Sequence, residues 1–350
     1  MLWALQYDRG PQDLPLLRFL LQQEINRYRE TVPWGLAPDL ELAGFLVAEH
    51  RQVDDVWLHW QAKNISFDTA LGYRTPYLLT AGVNATVETV RSSSHPDRER
   101  ILHEITSPRN PDGTPHYTDT VVEEWLDTRR ARFPSDPAAE SPQTWANHAA
   151  RLGEQGASRR FLLAWADQEP RTGQTLNTLQ FHLARLGFLT EAIKVQKEAV
   201  ALAEPGHPKA GNLLTLVDLQ RKSGDVTDAW ESLRECADSM PPDRFWKEAG
   251  LWRHFVRAHF LLVPMAPDQA TARMILAEGD RQMHDVPRLW MDGVLDAAIA
   301  AVEHVEDPHM HARYLTIRDT ELRARDQELK QARRGETTAE TEDDHNRAGT

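Results

Sequence analysis

The chain has 350 residues with a formal net charge of −13, 41% hydrophobic and 27% charged residues, and a single cysteine. That balance describes a folded chain long enough for two ordinary domains or one elongated array. It disfavours direct nucleic-acid binding, which calls for a basic stripe that neutralises phosphates. No apolar run reaches the roughly 18 residues of a membrane span. Met1–Gln6 lacks the basic and apolar regions of a signal peptide. With one cysteine no internal disulfide forms, so a cytoplasmic location is expected.

Residues 1–135 read as an irregular α-helical domain. Asp13 and Pro15 open a helix whose Leu17, Leu20, Leu21, Ile25 and Tyr28 recur at helical spacing. Leu40, Ala43, Phe45, Leu46 and Val47 mark a second helix, and Val53, Val56, Trp57 and Trp60 a third. Thr75-Pro76 is expected to cap a further helix, with Gly82 breaking the segment before Val83, Val87 and Val90. Asp68 is expected to cap a helix. Ser94-His95-Pro96 starts a helix carrying Ile101, Leu102 and Ile105; 107–117 is a loop by composition; Val121, Val122, Trp125 and Leu126 sit on one more helix. The arginines at 129, 130, 132, 159 and 160 are expected on solvated helix faces. Pro134–Pro142, rich in proline, serine and alanine, is the expected linker. No segment alternates with period two for long, so no sheet is expected.

Beyond the linker, Gly153, Gly187 and Gly224 recur 34 and then 37 residues apart in similar surroundings. Leu176, Leu179, Gly187, Ala192, Ile193 and Ala199 fall on Leu213, Leu216, Gly224, Ala229, Trp230 and Cys236. Leu-x-x-Leu gives a first helix one apolar stripe, and glycine ends it by entering the left-handed region without steric cost. A small residue early in the second helix permits close approach, and Pro205 and Pro241 close the units. An earlier copy carries Trp145, Gly153, Leu162 and Pro170, with Ser158 and Trp165 where small residues are expected. A third hairpin, about 243–283, keeps apolar spacing through Phe245, Trp252, Phe255 and Phe260 but has no matching glycine.

Across about 145–245 this layout resembles the tetratricopeptide repeat, a helix–turn–helix unit of 34 residues. The resemblance departs at Gln180 and Val217, where that family prefers small residues, and at the longer loop Pro205–Pro208. It implies an all-α fold, an α-solenoid of antiparallel helix pairs forming a superhelix over 143–330, closed by a capping helix. The segment from Asp54-Asp55-Val56-Trp57 through Phe67-Asp68-Thr69-Ala70-Leu71-Gly72 is similar to a phrase in uncharacterised helical proteins of high-GC bacteria, a resemblance that covers about 40–105 and carries no activity with it. Leu315, Leu322 and Leu329 space a charged helix of about 309–333 at one leucine per heptad. That pattern fits a capping helix with a narrow apolar edge, or a coiled-coil partner. Gly335–Thr350, polar and acidic, is the expected disordered tail.

No catalytic, cofactor or metal motif stands out. His304, Glu306, Asp307, His309 and His311 are dense in ligand atoms but lack zinc spacing. Cys236 occupies the slot that Ala199 fills one repeat earlier, which reads as a buried structural thiol. Glu123, Glu124 and Asp127 are ordinary for one exposed helix face. The eleven tryptophans favour recognition, since tryptophan and arginine dominate interface hot spots. By resemblance, first helices line the inner groove of such an array. That makes Asn177, Phe181, Asp218, Arg221 and Trp252 the candidate groove residues for a protein or peptide ligand. The expected function is therefore a binding scaffold without catalytic activity or cofactor. The alternatives are a helical hydrolase or transferase whose acids converge in a pocket, and a regulatory subunit that oligomerises through its C-terminal helix.

Overall fold

The structure is a computed structural model and describes residues 1–31, 34–240, 250–284 and 286–347, with side chains to residue 330. Pro241, Phe245 and Trp246 lie outside the described residues. The described chain is helical, with no strand and one isolated bridge, between Arg109 and Pro115. Among the described residues no helix is long and apolar enough to cross a membrane. Backbone contacts divide the chain into Met1–Ser141 and Pro142–Thr350, a division that falls inside the proline-rich stretch 134–142.

The first unit contains α1 (Leu2–Tyr7), α2 (Leu14–Thr31), α3 (Pro38–Ala48), α4 (Val56–Lys63), α5 (Phe67–Gly72), α6 (Val83–Ser92), α7 (Arg98–Thr106) and α8 (Asp119–Arg132). Leu17, Leu21, Ile25 and Tyr28 of α2 are buried, as their spacing requires. Helix α3 is buried on every side from Leu40 to Ala48, the environment that a helix apolar all round demands. Glu41 falls within that run, and a buried carboxylate must be paired. Arg129 and Arg132 of α8 supply the partners, at 2.7 and 2.9 Å. Arg130 joins Glu49, Glu123 and Asp127 at 2.7–2.8 Å. Arg129 and Arg130, half-buried, therefore correct the expectation of a solvated face; Arg132 is exposed as expected, and all three tie α8 to α3.

Two caps also differ from expectation. Ser66, not Asp68, caps α5 by accepting from the Thr69 amide, while Asp68 accepts from the Gly35 amide at 2.7 Å. Thr75 opens a 3₁₀ turn, Thr75–Leu79, behind Arg74, and its hydroxyl donates to Glu104 at 2.6 Å. Thr75 is the first residue inside that turn and the Tyr77 amide already donates to the Arg74 carbonyl, so the threonine hydroxyl turns to Glu104 instead.

The second unit contains α9 (Pro142–Arg151), α10 (Gln155–Gln168), α11 (Gly173–Arg185), α12 (Leu189–Leu202), α13 (His207–Ser223), α14 (Val226–Ser239), α15 (Gly250–Leu262), α16 (Gln269–Met283), α17 (Val294–Val305) and α18 (Pro308–Arg347). The turns α9–α10, α11–α12 and α13–α14 share four backbone hydrogen bonds. In the third, Gly224 N–H donates to Arg221, Asp225 to Gln220, Val226 to Gly224 and Ala229 to Asp225. Gly153, Gly187 and Gly224 sit at φ of +78°, +85° and +85°. The first two of those bonds make a Schellman cap, which is why glycine recurs.

After each turn a small residue meets the preceding helix: Ser158, Ala192 and Ala229 are buried. Ser158 fits because its hydroxyl donates to the Ala146 carbonyl at 2.7 Å. In that first copy Ala166 takes the buried position and Trp165, one residue earlier, is half-buried. The α15–α16 turn uses a 3₁₀ segment, Val263–Met265, in place of glycine.

In α18 the leucine stripe fades outward. Tyr314 is fully buried, Leu315 and Leu322 are half-buried, and Leu329 is 52% exposed. Tyr314 anchors the helix through its hydroxyl, which donates to Asp280 at 2.8 Å. The helix runs past the expected end at 333, through the stretch read as a tail, to Arg347.

Candidate functional site

Helices α11 and α13 each bury one stripe and expose the other. Leu176, Leu179 and Leu183 of α11 are buried, as are Leu213, Leu216 and Val217 of α13. What remains outside is Asn177, Phe181 and Arg185 on α11, and Gly211, Thr215, Asp218 and Lys222 on α13. These residues border a cavity of about 810 Å³. A second cavity, of about 530 Å³, lies against α13 and α15 and adds Arg221, His254 and Arg257. Gly211, Thr215, Asp218 and Lys222 belong to both, so the exposed face of α13 forms the floor that the two share.

The charges on this floor are partly spent. Asp218 accepts from Arg221 at 2.7 Å and Lys222 at 2.6 Å. Partial burial acts to raise its carboxyl, but the hydrogen bonds from Lys222 and Arg221 prevail and hold it below the usual range. Arg185 lies over the Phe181 ring at 5.5 Å and has no acceptor among the described residues. Phe181 is 53% exposed, a large apolar surface left to water beside a cation. Arg257 also lacks an acceptor among the described residues, and its Nε is buried. A buried donor with no acceptor costs about 1–3 kcal/mol.

Gly211 is unusual for a different reason. It stands inside α13 in a helical conformation, and a Cβ built on it would meet nothing within 4 Å. Neither a turn nor close packing calls for glycine here. Its presence costs the helix about 1 kcal/mol relative to alanine, and the result is bare backbone on the cavity floor.

Of the five candidate residues, Asn177, Phe181 and Asp218 border the larger cavity, and Asp218 and Arg221 border the smaller. Trp252 borders neither. Its indole N–H donates to the Gln282 carbonyl at 3.0 Å and its ring packs on Phe255 at 5.1 Å, so it fills the wedge between α15 and α16. Arg185, Gly211 and Arg257 were missed. Gly211 was legible as a glycine inside a helical pattern with no cap to make, whereas the arginines become distinctive only through three-dimensional placement.

The other constellations resolve into a buried thiol and a surface polar turn. Cys236 is fully buried with its thiol pushed up to about 12 by burial and the neighbouring Glu235. His311 pairs with Glu303 at 3.2 Å, and no metal-ligating group of three is present among the described residues. Sequence reasoning did not see the polar stack of the first unit. His59 Nδ1 shares a 2.7 Å hydrogen bond with the Tyr73 hydroxyl, and Tyr73 stacks on Tyr77 at 4.4 Å. Burial pushes His59 down to about 3, so the ring is neutral.

No protein-family model matches the chain, and a search of curated proteins finds no match either.

Proposed function

We propose that the second unit is a cytoplasmic interaction scaffold, its helix pairs stacking as a tetratricopeptide-like solenoid that binds a protein or peptide segment along the exposed face of α13. The repeated Schellman turns and the packing of successive helices on their chain neighbours support the architecture. One observation carries the binding reading: two adjoining cavities share a floor on which a helix-interior glycine leaves backbone uncovered. Bare backbone lets a ligand chain approach closely. Arg185 and Arg257 offer directional donors for its carbonyl or carboxylate oxygens, and Phe181 offers an apolar contact.

The test uses the tagged full chain with crosslinking and mass spectrometry, comparing Gly211→Ala with Gly211→Trp. Alanine fits the free space and is expected to keep the crosslinked partner. An indole at 211 would fill the shared floor and is expected to lose it, with the circular dichroism spectrum unchanged. Recovery of the same partner at the same yield from the folded Gly211→Trp variant would refute the assignment.

A further inference from the structure

The first unit holds a cavity of its own, of about 480 Å³, and its lining is chemically one-sided. Three arginines, Arg74, Arg129 and Arg132, face one acid, Glu41. Glu41 is nearly buried, and Arg132 grips both its oxygens, at 2.9 and 3.1 Å, while Arg129 reaches it through Nη1 at 2.7 Å. That arrangement fixes the two guanidinium groups without exhausting them, since among the described residues Arg129 donates to Glu41 through Nη1 alone. Arg74 is exposed and has neither a hydrogen bond nor an ion pair for its side chain among the described residues. The lining thus carries two positive charges in excess, within a chain whose net charge is −13.

The remaining walls are apolar. Trp125 lies under the Arg129 guanidinium at 5.5 Å and is held by an edge contact from Tyr77 at 4.6 Å. Leu36 and Leu71 complete the side, and Leu71 is 62% exposed, with Phe67 one turn earlier at 78%. Neither side chain belongs to a hydrophobic core among the described residues. Cations on one wall and uncovered apolar surface on the other match a ligand with an anionic head and a short apolar body. The volume lies within the roughly 300–1,000 Å³ of small-molecule sites, and is small for a folded partner segment.

We propose that this cavity binds a small soluble amphipathic anion, a carboxylate or phosphate monoester. Its head accepts from Arg74, Arg129 and Arg132, and its apolar body lies against Leu71 and Trp125. Glu41 is the positioning residue, holding Arg129 and Arg132 in the geometry that the head requires.

Isothermal titration of the full chain with hexyl phosphate, hexanoate, hexyltrimethylammonium and inorganic phosphate tests this. Hexyl phosphate and hexanoate are expected to bind, the quaternary ammonium not to bind, and inorganic phosphate to bind more weakly than its hexyl ester. Arg74→Glu, at an exposed site outside the core, is expected to weaken hexyl phosphate binding by about tenfold. Arg91→Glu, the same charge change on the exposed face of α6 and outside the cavity lining, is expected to leave it unchanged. Equal binding of hexyl phosphate and hexyltrimethylammonium would overturn the proposal, as would an unchanged affinity in folded Arg74→Glu or no binding by any probe. Hexyl phosphate no tighter than inorganic phosphate would overturn the apolar part. Co-sedimentation with phosphatidylglycerol vesicles, abolished by Arg74→Glu, would overturn the soluble ligand in favour of a lipid headgroup.

Discussion

Placing alanine at Gly44 and at Gly211 is the same chemical change in two helices, and the structure assigns it opposite signs. At Gly44 of α3, the new Cβ would stand 2.2 Å from the Tyr73 hydroxyl and 2.8 Å from two of its ring carbons. Tyr73 has no room to withdraw, because it is fully buried, stacked on Tyr77 and bonded to His59. Helix propensity favours alanine by about 1 kcal/mol, while overpacking of a tight core costs about 3 kcal/mol at such a contact. The expected result is a net loss of about 2 kcal/mol. At Gly211 only propensity acts, and a gain of about 0.5–1 kcal/mol is expected. Amide hydrogen exchange read on peptides from α3 and α13 measures each unit separately. Adding Tyr73→Phe to Gly44→Ala should return part of the loss, because it removes the shortest contact. A neutral or stabilising Gly44→Ala, or a destabilising Gly211→Ala, would refute this account of where backbone must stay bare.

Three further outcomes are expected. Gly224→Ala, at φ +85°, should cost about 1 kcal/mol in urea unfolding, since the left-handed cap favours glycine; an unchanged midpoint would remove the Schellman argument. His59, held down to about 3 by burial, binds fewer protons folded than unfolded between about pH 6.5 and 3, so its stabilising contribution is full above pH 6.5 and declines on acidification. That decline is about 1.4 kcal/mol per pH unit, or about 2 kcal/mol by pH 5, and His59→Gln should flatten it in urea melts of the first unit; an equal acid loss in the variant would contradict the assignment. Cys236, buried and with its thiol pushed up to about 12, should resist a disulfide-exchange reagent at pH 8 in the native chain and react at once in guanidinium; native labelling within minutes would show that it is accessible.

What was legible in the sequence is what is local. Leu17, Leu21, Ile25 and Tyr28 lie within one helix, so their spacing alone assigns them to its buried face. Gly153, Gly187 and Gly224 announce their turns because the left-handed cap is made within six residues. The misreadings come from partners distant along the chain. Arg129 reads as solvated until α8 folds onto α3 and brings it to Glu41, 88 residues away. Thr75 reads as a cap until Glu104 is beside it. Trp252 sits at a helical position consistent with a groove, yet the Gln282 carbonyl on a different helix decides where its indole goes. The groove candidates on α11 and α13 came together because each was set by its own helix's stripe, while Arg257 joined them from α15 by packing that no local pattern encodes.

Two sets of arginines differ in what they touch. Arg129, Arg130 and Arg132 bind acids on α3 or beside it, and Arg159 binds Glu191 across helices at 2.9 Å. These pairs fix the position of one helix on another, and removing one partner would leave a charge stranded. Arg74, Arg185 and Arg257 fix nothing in this way, and each lines a cavity. Exposure alone does not explain Arg257, whose Nε is buried and still unbonded. In a chain of net charge −13, acids suitable for pairing are plentiful. Arg185, beside uncovered Phe181, and Arg74, beside uncovered Leu71, meet none of them among the described residues, and on the two proposals above their acceptors come from outside the chain.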